Sequence, residues 1–150
     1  MFRFATAAVV LLGSAAWAAA ATPQCLRSNE IEADQAIRFQ TEIMVVSDTC
    51  GAQTYTRFAR RNRDALVQYQ QELVERFRRS GTAHAQERLD SYLTQLANEA
   101  SLRLGAQPVA EMCRNAQPLL ATADTLSGDE FRRYVAQRAA ADSTTRHCRD

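Results

Sequence analysis

Lysine is absent from the sequence, and glycine and proline are scarce. The 18 basic side chains are all arginine and stand against 17 acidic ones, which gives a net charge of +1. A chain so close to neutral lacks the positive field typical of nucleic-acid binders, so we expect no nucleic acid as a partner. Five glycines and three prolines in 150 residues exclude collagen-like and linker-rich chains and disfavour turn-dense all-β folds.

The sequence also lacks the motifs of common enzymes and metal proteins. It has no GxSxG nucleophile elbow, no HExxH zinc motif, no phosphate-binding glycine loop and no CxxC pair. His84 and Glu87 form an HxxE pair, but di-iron bundles require two ExxH motifs with further carboxylates. His147 stands alone beside Cys148 in a polar tail. We therefore predict no catalytic residue, no metal site and no cofactor.

Residues 1–21 have the layout of a cleaved secretory signal peptide. Arg3 precedes an apolar run, and small residues that suit cleavage after Ala20 or Ala21 follow it. An uncleaved membrane anchor is the alternative, but the run is too short to cross about 30 Å of hydrocarbon. Loss of Arg3 leaves 17 arginines against 17 acidic residues, and no later stretch reads as a transmembrane segment. We expect a soluble, exported protein of the periplasm.

Apolar residues recur at helical spacing in the rest of the chain, while period-two alternation is almost absent. The stripes predict five helices, at residues 29–47, 55–80, 83–104, 108–123 and 127–141. Capping boxes are predicted at Asn29 with Glu32 and at Ser127 with Glu130. Pro118 should kink or split the fourth helix, because proline removes a backbone hydrogen bond. The pattern predicts an all-α fold, an antiparallel bundle of four to five helices in a single domain over residues 22–150 with a loose C-terminal tail.

Four cysteines, at positions 25, 50, 113 and 148, indicate two disulfides in an exported chain. A helix over residues 29–47 would separate Cys25 from Cys50 by about 27 Å, whereas a disulfide requires Cα atoms within about 7 Å. That geometry excludes Cys25–Cys50 and, with it, Cys113–Cys148. Following the helices up and down the bundle brings Cys50 and Cys113 to the same end. Cys25–Cys148 then joins the two ends of the chain.

Arginines at positions 57, 60, 61 and 63 form the densest charge cluster of the sequence. Arg57, Arg60 and Arg61 lie near Asp64 across successive turns, away from the apolar stripe, and the cluster, which includes Arg63, could bind a phosphate, a lipid head group or an acidic partner. The alternative is a solvated helix face. A second cluster at residues 76–79 lies near a helix C-terminus, where positive charge is favoured by the helix dipole alone, so it carries no functional prediction.

Several polar residues lie on or beside the apolar stripes: Asn62, Asn98, Glu99, Tyr69 and Tyr92. Buried polar groups need hydrogen-bond partners. We therefore expect these side chains to form a polar core network that fixes the register of the helices. In the alternative they line a small pocket between helices.

Five segments together carry a resemblance to known proteins. They are CLRSNEI at residues 25–31, TEIMVVSDTCG at 41–51, YTRFARRNR at 55–63, LANEASLR at 96–103 and EMC at 111–113. The combination resembles uncharacterised small exported helical four-cysteine proteins of Gram-negative bacteria and spans most of the mature chain. The resemblance implies a periplasmic helical domain and brings no catalytic residues with it.

The sequence as a whole predicts a non-enzymatic periplasmic module that binds a macromolecular partner or supports the cell envelope. The expected partner is an envelope protein or an anionic ligand. A small-ligand or lipid carrier with a pocket between helices is the main alternative. A hydrolase that uses an unrecognised pair of carboxylates is a third.

Overall fold

The computed structural model describes residues 25–81, 83–145 and 148. The predicted signal peptide and His147 lie outside these residues. The described part of the chain forms seven helices and no β-strand, which confirms the all-α fold class. The helices are α1 (Ser28–Thr49), α2 (Thr54–Arg61), α3 (Arg63–Arg79), α4 (Ala85–Leu104), α5 (Val109–Asn115), α6 (Gln117–Thr125) and α7 (Asp129–Ala141).

Two of the five predicted helices are divided in the structure. The fourth splits at Ala116 into α5 and α6, and Pro118 lies in the first turn of α6, where its missing N–H has no helical partner to lose. The second is broken at Asn62 into α2 and α3. The sequence pattern did not indicate that second break, and its cause lies in the tertiary structure.

The helix starts also differ from the predicted capping boxes. At the start of α1, the backbone N–H of Arg27 donates at 2.8 Å to the carboxylate of Glu30, not of Glu32. Arg79 holds Glu30 from the other side, so a tertiary ion pair decides which glutamate caps the helix. The residue before α7 is Gly128, and no side chain caps that helix.

Helix α1 is the central element of the bundle. It packs against all six other helices and buries side chains on nearly every side, among them Ile37, Phe39, Ile43 and Val46. A helix that is apolar around most of its circumference is stable only inside a core. The other helices therefore surround α1, and their apolar stripes meet on it.

Both predicted disulfides are present. Cys25 is bonded to Cys148 with a Cα–Cα distance of 4.7 Å, and Cys50 to Cys113 with 5.7 Å. The backbone N–H of Cys148 donates to the carbonyl of Leu26 at 2.9 Å, so the two ends of the described chain are joined covalently and by a hydrogen bond. The pairing inferred from the length of the first helix is confirmed.

One acidic side chain is buried in an ion pair between α1 and α3. Glu30 is 3% exposed and accepts hydrogen bonds from Nε and Nη2 of Arg79 at 3.0 and 2.7 Å. Burial by itself raises the pKa of this carboxyl, but the hydrogen bonds from Arg79 and from the backbone of Arg27 outweigh it and lower the pKa. The folded protein therefore favours the ionised carboxylate.

This ion pair should make the protein sensitive to acid. A carboxyl whose pKa is lower in the folded state stabilises the fold above its unfolded pKa, near 4.5, and loses that contribution as pH falls. We expect the free energy of unfolding to decrease as the pH drops below about 5. Glu30→Gln should destabilise the fold by about 2 kcal/mol at neutral pH, since Arg79 loses its counter-charge.

The check is a series of urea unfolding curves between about pH 3 and pH 7 for the parent and for Glu30→Gln. The difference in free energy of unfolding between the two proteins should shrink as the pH falls, because protonation of Glu30 removes from the parent the ion pair that the substitution has already removed. Glu87→Gln, at an exposed position of α4, is the control and should follow the parent. Parallel profiles for Glu30→Gln and the parent would contradict the assignment.

Candidate functional site

The break between α2 and α3 is built around a buried asparagine. Asn62 is 2% exposed, and its Nδ2 donates to the carbonyls of Phe58 and Leu126 at 3.0 and 3.1 Å. Its Oδ1 accepts from the backbone N–H of Gly128 at 3.0 Å. Thr41 and Thr94 also donate to the carbonyl four residues earlier, yet α1 and α4 continue through them. What distinguishes Asn62 is its bonding across the bundle, which fastens the break between α2 and α3 to the α6–α7 connection.

Two of the predicted anion-site arginines hold α2 against the end of α6. Arg57 donates to both carboxylate oxygens of Asp124 at 2.9 Å, and Thr54 donates to the same carboxylate at 3.1 Å. Arg61 donates to the carbonyls of Ala123 and Asp124, both at 3.0 Å. The hydrogen bond from Arg57 lowers the pKa of Asp124. These guanidinium groups serve as intramolecular links.

The predicted cluster of four arginines is therefore divided. All four side chains are exposed, but only Arg57 and Arg61 are hydrogen-bonded to α6 among the described residues. The sequence could not show this, because the acceptors on Ala123 and Asp124 lie more than 60 residues further along the chain. A free anion site made of all four side chains is not what the structure presents.

A groove lies on the side of α2 that faces α4. Helix α2 packs on α1 and α6, whereas α3 and α1 pack on α4. The gap between α2 and α4 is an open groove of about 670 Å³, with the C-terminal part of α1 as its floor. Its apolar lining residues are half-buried: Met44, Val45, Ala52, Tyr55 and Ala97.

The α1–α2 turn forms one end of the groove and is held in a single shape. Gly51 has a φ of +64°, a left-handed conformation that glycine adopts without strain. The backbone N–H of Ala52 donates to the carbonyl of Ser47 at 2.8 Å, and the N–H of Tyr55 donates to the hydroxyl of Ser47 at 3.1 Å. These bonds hold the backbone at Tyr55, and Gln40 donates to the Tyr55 hydroxyl at 3.5 Å, so the ring is held in the absence of a ligand. Preorganisation of this kind reduces the entropy lost on binding.

The predicted polar core residues do not form one network. Asn62 bonds only to backbone groups of α2 and the α6–α7 connection, while Asn98 and Glu99 are exposed on α4. Tyr69 is buried edge-on to the ring of Phe131, with centroids 6.0 Å apart. Tyr92 lies elsewhere, between α1 and α4. Glu99 and Tyr92 meet around Arg38, whose guanidinium lies 3.8 Å from the Glu99 carboxylate and donates to the Tyr92 hydroxyl. The other three side chains lie in separate surroundings.

Tyr92 belongs to a polar cluster that sequence reasoning missed. Its hydroxyl donates to Asp34 and accepts from Arg38 at 3.1 Å, and Arg38 Nε donates to Asp34 at 2.7 Å. Arg76 Nη1 lies 3.5 Å from the same carboxylate. Burial, followed by the Asp34 carboxylate, raises the pKa of Tyr92. The Asp34 carboxylate is the centre of this cluster. The only indication of it in the sequence is an acidic residue four positions before an arginine on the same helix.

The described residues hold no cluster of three or more His, Cys, Asp or Glu side chains that could bind a metal ion. His84 and Glu87 face each other at 3.6 Å as an exposed pair. None of the seven described helices combines the length and the apolar character needed to cross a bilayer. The groove between α2 and α4 is a candidate binding site in this part of the chain.

No family model, no curated protein and no solved structure matches this chain. The resemblance based on the five sequence segments stays a prediction.

Proposed function

We propose that this protein is an exported, periplasmic module that binds a segment of a protein partner in the groove between α2 and α4, without catalysing a reaction. The observation that carries the proposal is the groove itself, about 670 Å³ in volume and floored by half-buried apolar side chains. Grooves between helices commonly bind an apolar side of a partner segment. The secretory pattern of residues 1–21 and the two disulfides support export to an oxidising compartment.

The open shape of the groove favours a macromolecular partner over a small lipid. Sites for small molecules bury about 70–90% of the ligand surface, whereas this groove has walls on two sides only, formed by α2 and α4. A partner segment can lie along such a groove while the rest of the partner stays in solvent. The polar links from Arg57, Arg61 and Asn62 to α6 hold the wall that keeps the groove open.

Site-specific photo-crosslinking in the cells that export the protein tests the proposal. A benzophenone side chain at Ala97, on the α4 wall, should crosslink one protein, and the same group at Leu102, which is 78% exposed on α4, should not. The crosslinked protein is then purified and its affinity measured. Ala97→Trp should weaken binding at least tenfold by filling the groove, while Leu102→Trp should leave the affinity unchanged.

Urea unfolding of both tryptophan variants shows whether Ala97→Trp acts through binding or through stability. If that variant is unstable, Thr56→Trp on the exposed α2 wall replaces it. Equal crosslinking from positions 97 and 102, or unchanged affinity in both groove variants, would refute the proposal. A small molecule that stays bound in native mass spectrometry and is lost in Ala97→Trp would establish the carrier function in its place.

A further inference from the structure

We infer that the segment bound in this groove is positively charged as well as apolar, an inference that rests on the proposed function. Asp48 is the one charged side chain among the described residues that line the groove. Within the described part of the chain its carboxylate takes part in no ion pair. Arg60 and Arg63 lie further along the chain and do not line the groove. The groove therefore offers one uncompensated negative charge.

The C-terminal end of α1 also favours a positively charged partner. Positive side chains are favoured in the last turn of a helix, and α2, α3, α4, α5 and α7 each carry at least one arginine there. Helix α6 has none, but Arg61 of α2 donates to its last carbonyls. Among the described helices, only α1 ends without an arginine, either its own or one supplied by a neighbour.

The last turn of α1 forms part of the groove and carries Asp48 where a cation would be favourable. The helix dipole disfavours a carboxylate at this position, so Asp48 does not stabilise α1. A lysine or arginine from a partner would pair with Asp48 and lie near the negative end of the α1 dipole, where the last carbonyls already accept hydrogen bonds from the backbone of residues 50–52. This arrangement gives a bound cation two favourable interactions that the free protein lacks.

The remaining lining suits the hydrocarbon part of such a side chain. Met44 and Ala97 provide apolar contacts, and the half-buried ring of Tyr55 can face a cation directly. Lysine and arginine place their methylene stems on apolar surface while the charged group reaches a polar partner. The chemistry therefore favours an amphipathic protein segment with basic residues on its polar side.

An acidic partner would need a cleft lined by free arginines. A smaller cleft of about 100 Å³ between α1, α4 and α7 is lined by Arg38, Arg103 and Arg138. However, Arg38 is paired with Asp34 at 2.7 Å and Arg103 with Glu42 at 2.6 Å. Two of its three guanidinium groups are therefore already neutralised by carboxylates of α1.

Two matched peptides test the inference on the purified, oxidised protein. Each has about 14 residues, or about 21 Å as a helix, with the same leucines on one side and either lysines or glutamates elsewhere. Calorimetric titration at low salt should show the lysine peptide binding at least tenfold more tightly than the glutamate peptide. Asp48→Asn should weaken the lysine peptide about fivefold, as expected for a partly exposed ion pair, and Asp48→Lys should reverse the preference. Asp129→Asn, outside the groove, is the matched control.

The outcomes separate this inference from the proposed function. If Ala97→Trp abolishes binding but Asp48→Asn and Asp129→Asn behave alike, the groove is a docking site and the inferred charge of the partner is wrong. If the glutamate peptide binds as tightly as the lysine peptide, the inferred charge is also wrong. If neither peptide responds to Ala97→Trp, the proposed function fails as well. Tetramethylammonium alone binding as tightly as the lysine peptide would identify a small cation as the ligand and overturn the inference of a protein segment.

Discussion

Replacement of Cys50 and Cys113 by serine is expected to lower the free energy of unfolding by about 4 kcal/mol. The bridge closes a loop of 63 residues and so reduces the conformational entropy of the unfolded chain. For a loop of that length this effect stabilises the folded state by about 4 kcal/mol. A domain of this size has about 5–15 kcal/mol of stability in total. Loss of this one bond should therefore remove a large part of it.

The position of the bridge adds a local effect to the entropic one. Cys50 caps the C-terminus of α1 and Cys113 lies in α5, which buries little more than Met112. Without the bond, α5 is held to the core mainly by Met112 and Ala116. We therefore expect the segment around α5 to exchange its amide hydrogens faster in the double variant than in the parent.

Urea unfolding at neutral pH measures the predicted decrease in the free energy of unfolding. The slope of this free energy against urea concentration should become steeper, because the unfolded chain without the bond exposes more surface. The double variant of Cys25 and Cys148 is the comparison. The Cys25–Cys148 bond closes a loop of 123 residues, but the Cys50–Cys113 bond, the inner bridge, already shortens that loop by about half. We therefore expect a similar decrease in the free energy of unfolding. A loss below about 1 kcal/mol for the inner bridge would show that the loop-entropy account does not hold for this chain.

Phe39→Ala should destabilise the protein by about 4 kcal/mol and lower the melting temperature by about 10 °C. Phe39 is fully buried in α1, and its ring lies against three others. The centroid distances are 5.6 Å to Phe58, 6.3 Å to Phe131 and 4.9 Å to Tyr134. Removal of the ring leaves a cavity at the point where α1, α2 and α7 meet.

Phe39→Leu provides a milder test, with a loss of about 1–2 kcal/mol, and keeps the prediction measurable if the alanine variant does not fold. Leu102→Ala, at a position 78% exposed, is the control and should change stability by less than about 0.5 kcal/mol. Scanning calorimetry on all three variants checks the predicted order of their melting temperatures. Equal melting temperatures for Phe39→Ala and Leu102→Ala would show that Phe39 does not belong to the stabilising core.

The break at Asn62 shows why the sequence reading of the second helix was incomplete. The apolar stripe runs without a change of phase through Phe58, Leu66 and Tyr69, so periodicity indicates one continuous helix. The bend depends on the carbonyl of Leu126 and the N–H of Gly128, which bond to Asn62 across 64 and 66 residues. A sequence window of one helix does not contain these partners.

The arginines show the same limit for the functional prediction. Four arginines within seven residues are a visible charge cluster, and an anion site was a reasonable interpretation. Asp124 and the end of α6 engage two of them. In turn, the groove residues Met44, Tyr55 and Ala97 carry no motif, because they come from three different helices that only the packed bundle brings together.

The sequence by itself determined the helical class, the split next to Pro118 and the pairing of the four cysteines. These follow from local periodicity, from the missing N–H of proline and from the length of one helix, all of which are properties of short segments. The tertiary structure alone decided the bend at Asn62, the roles of Arg57 and Arg61, and the place of the groove. The first two depend on hydrogen bonds between residues more than 60 positions apart, and the groove depends on three helices packing together, so only the packed bundle brings these groups within reach of one another.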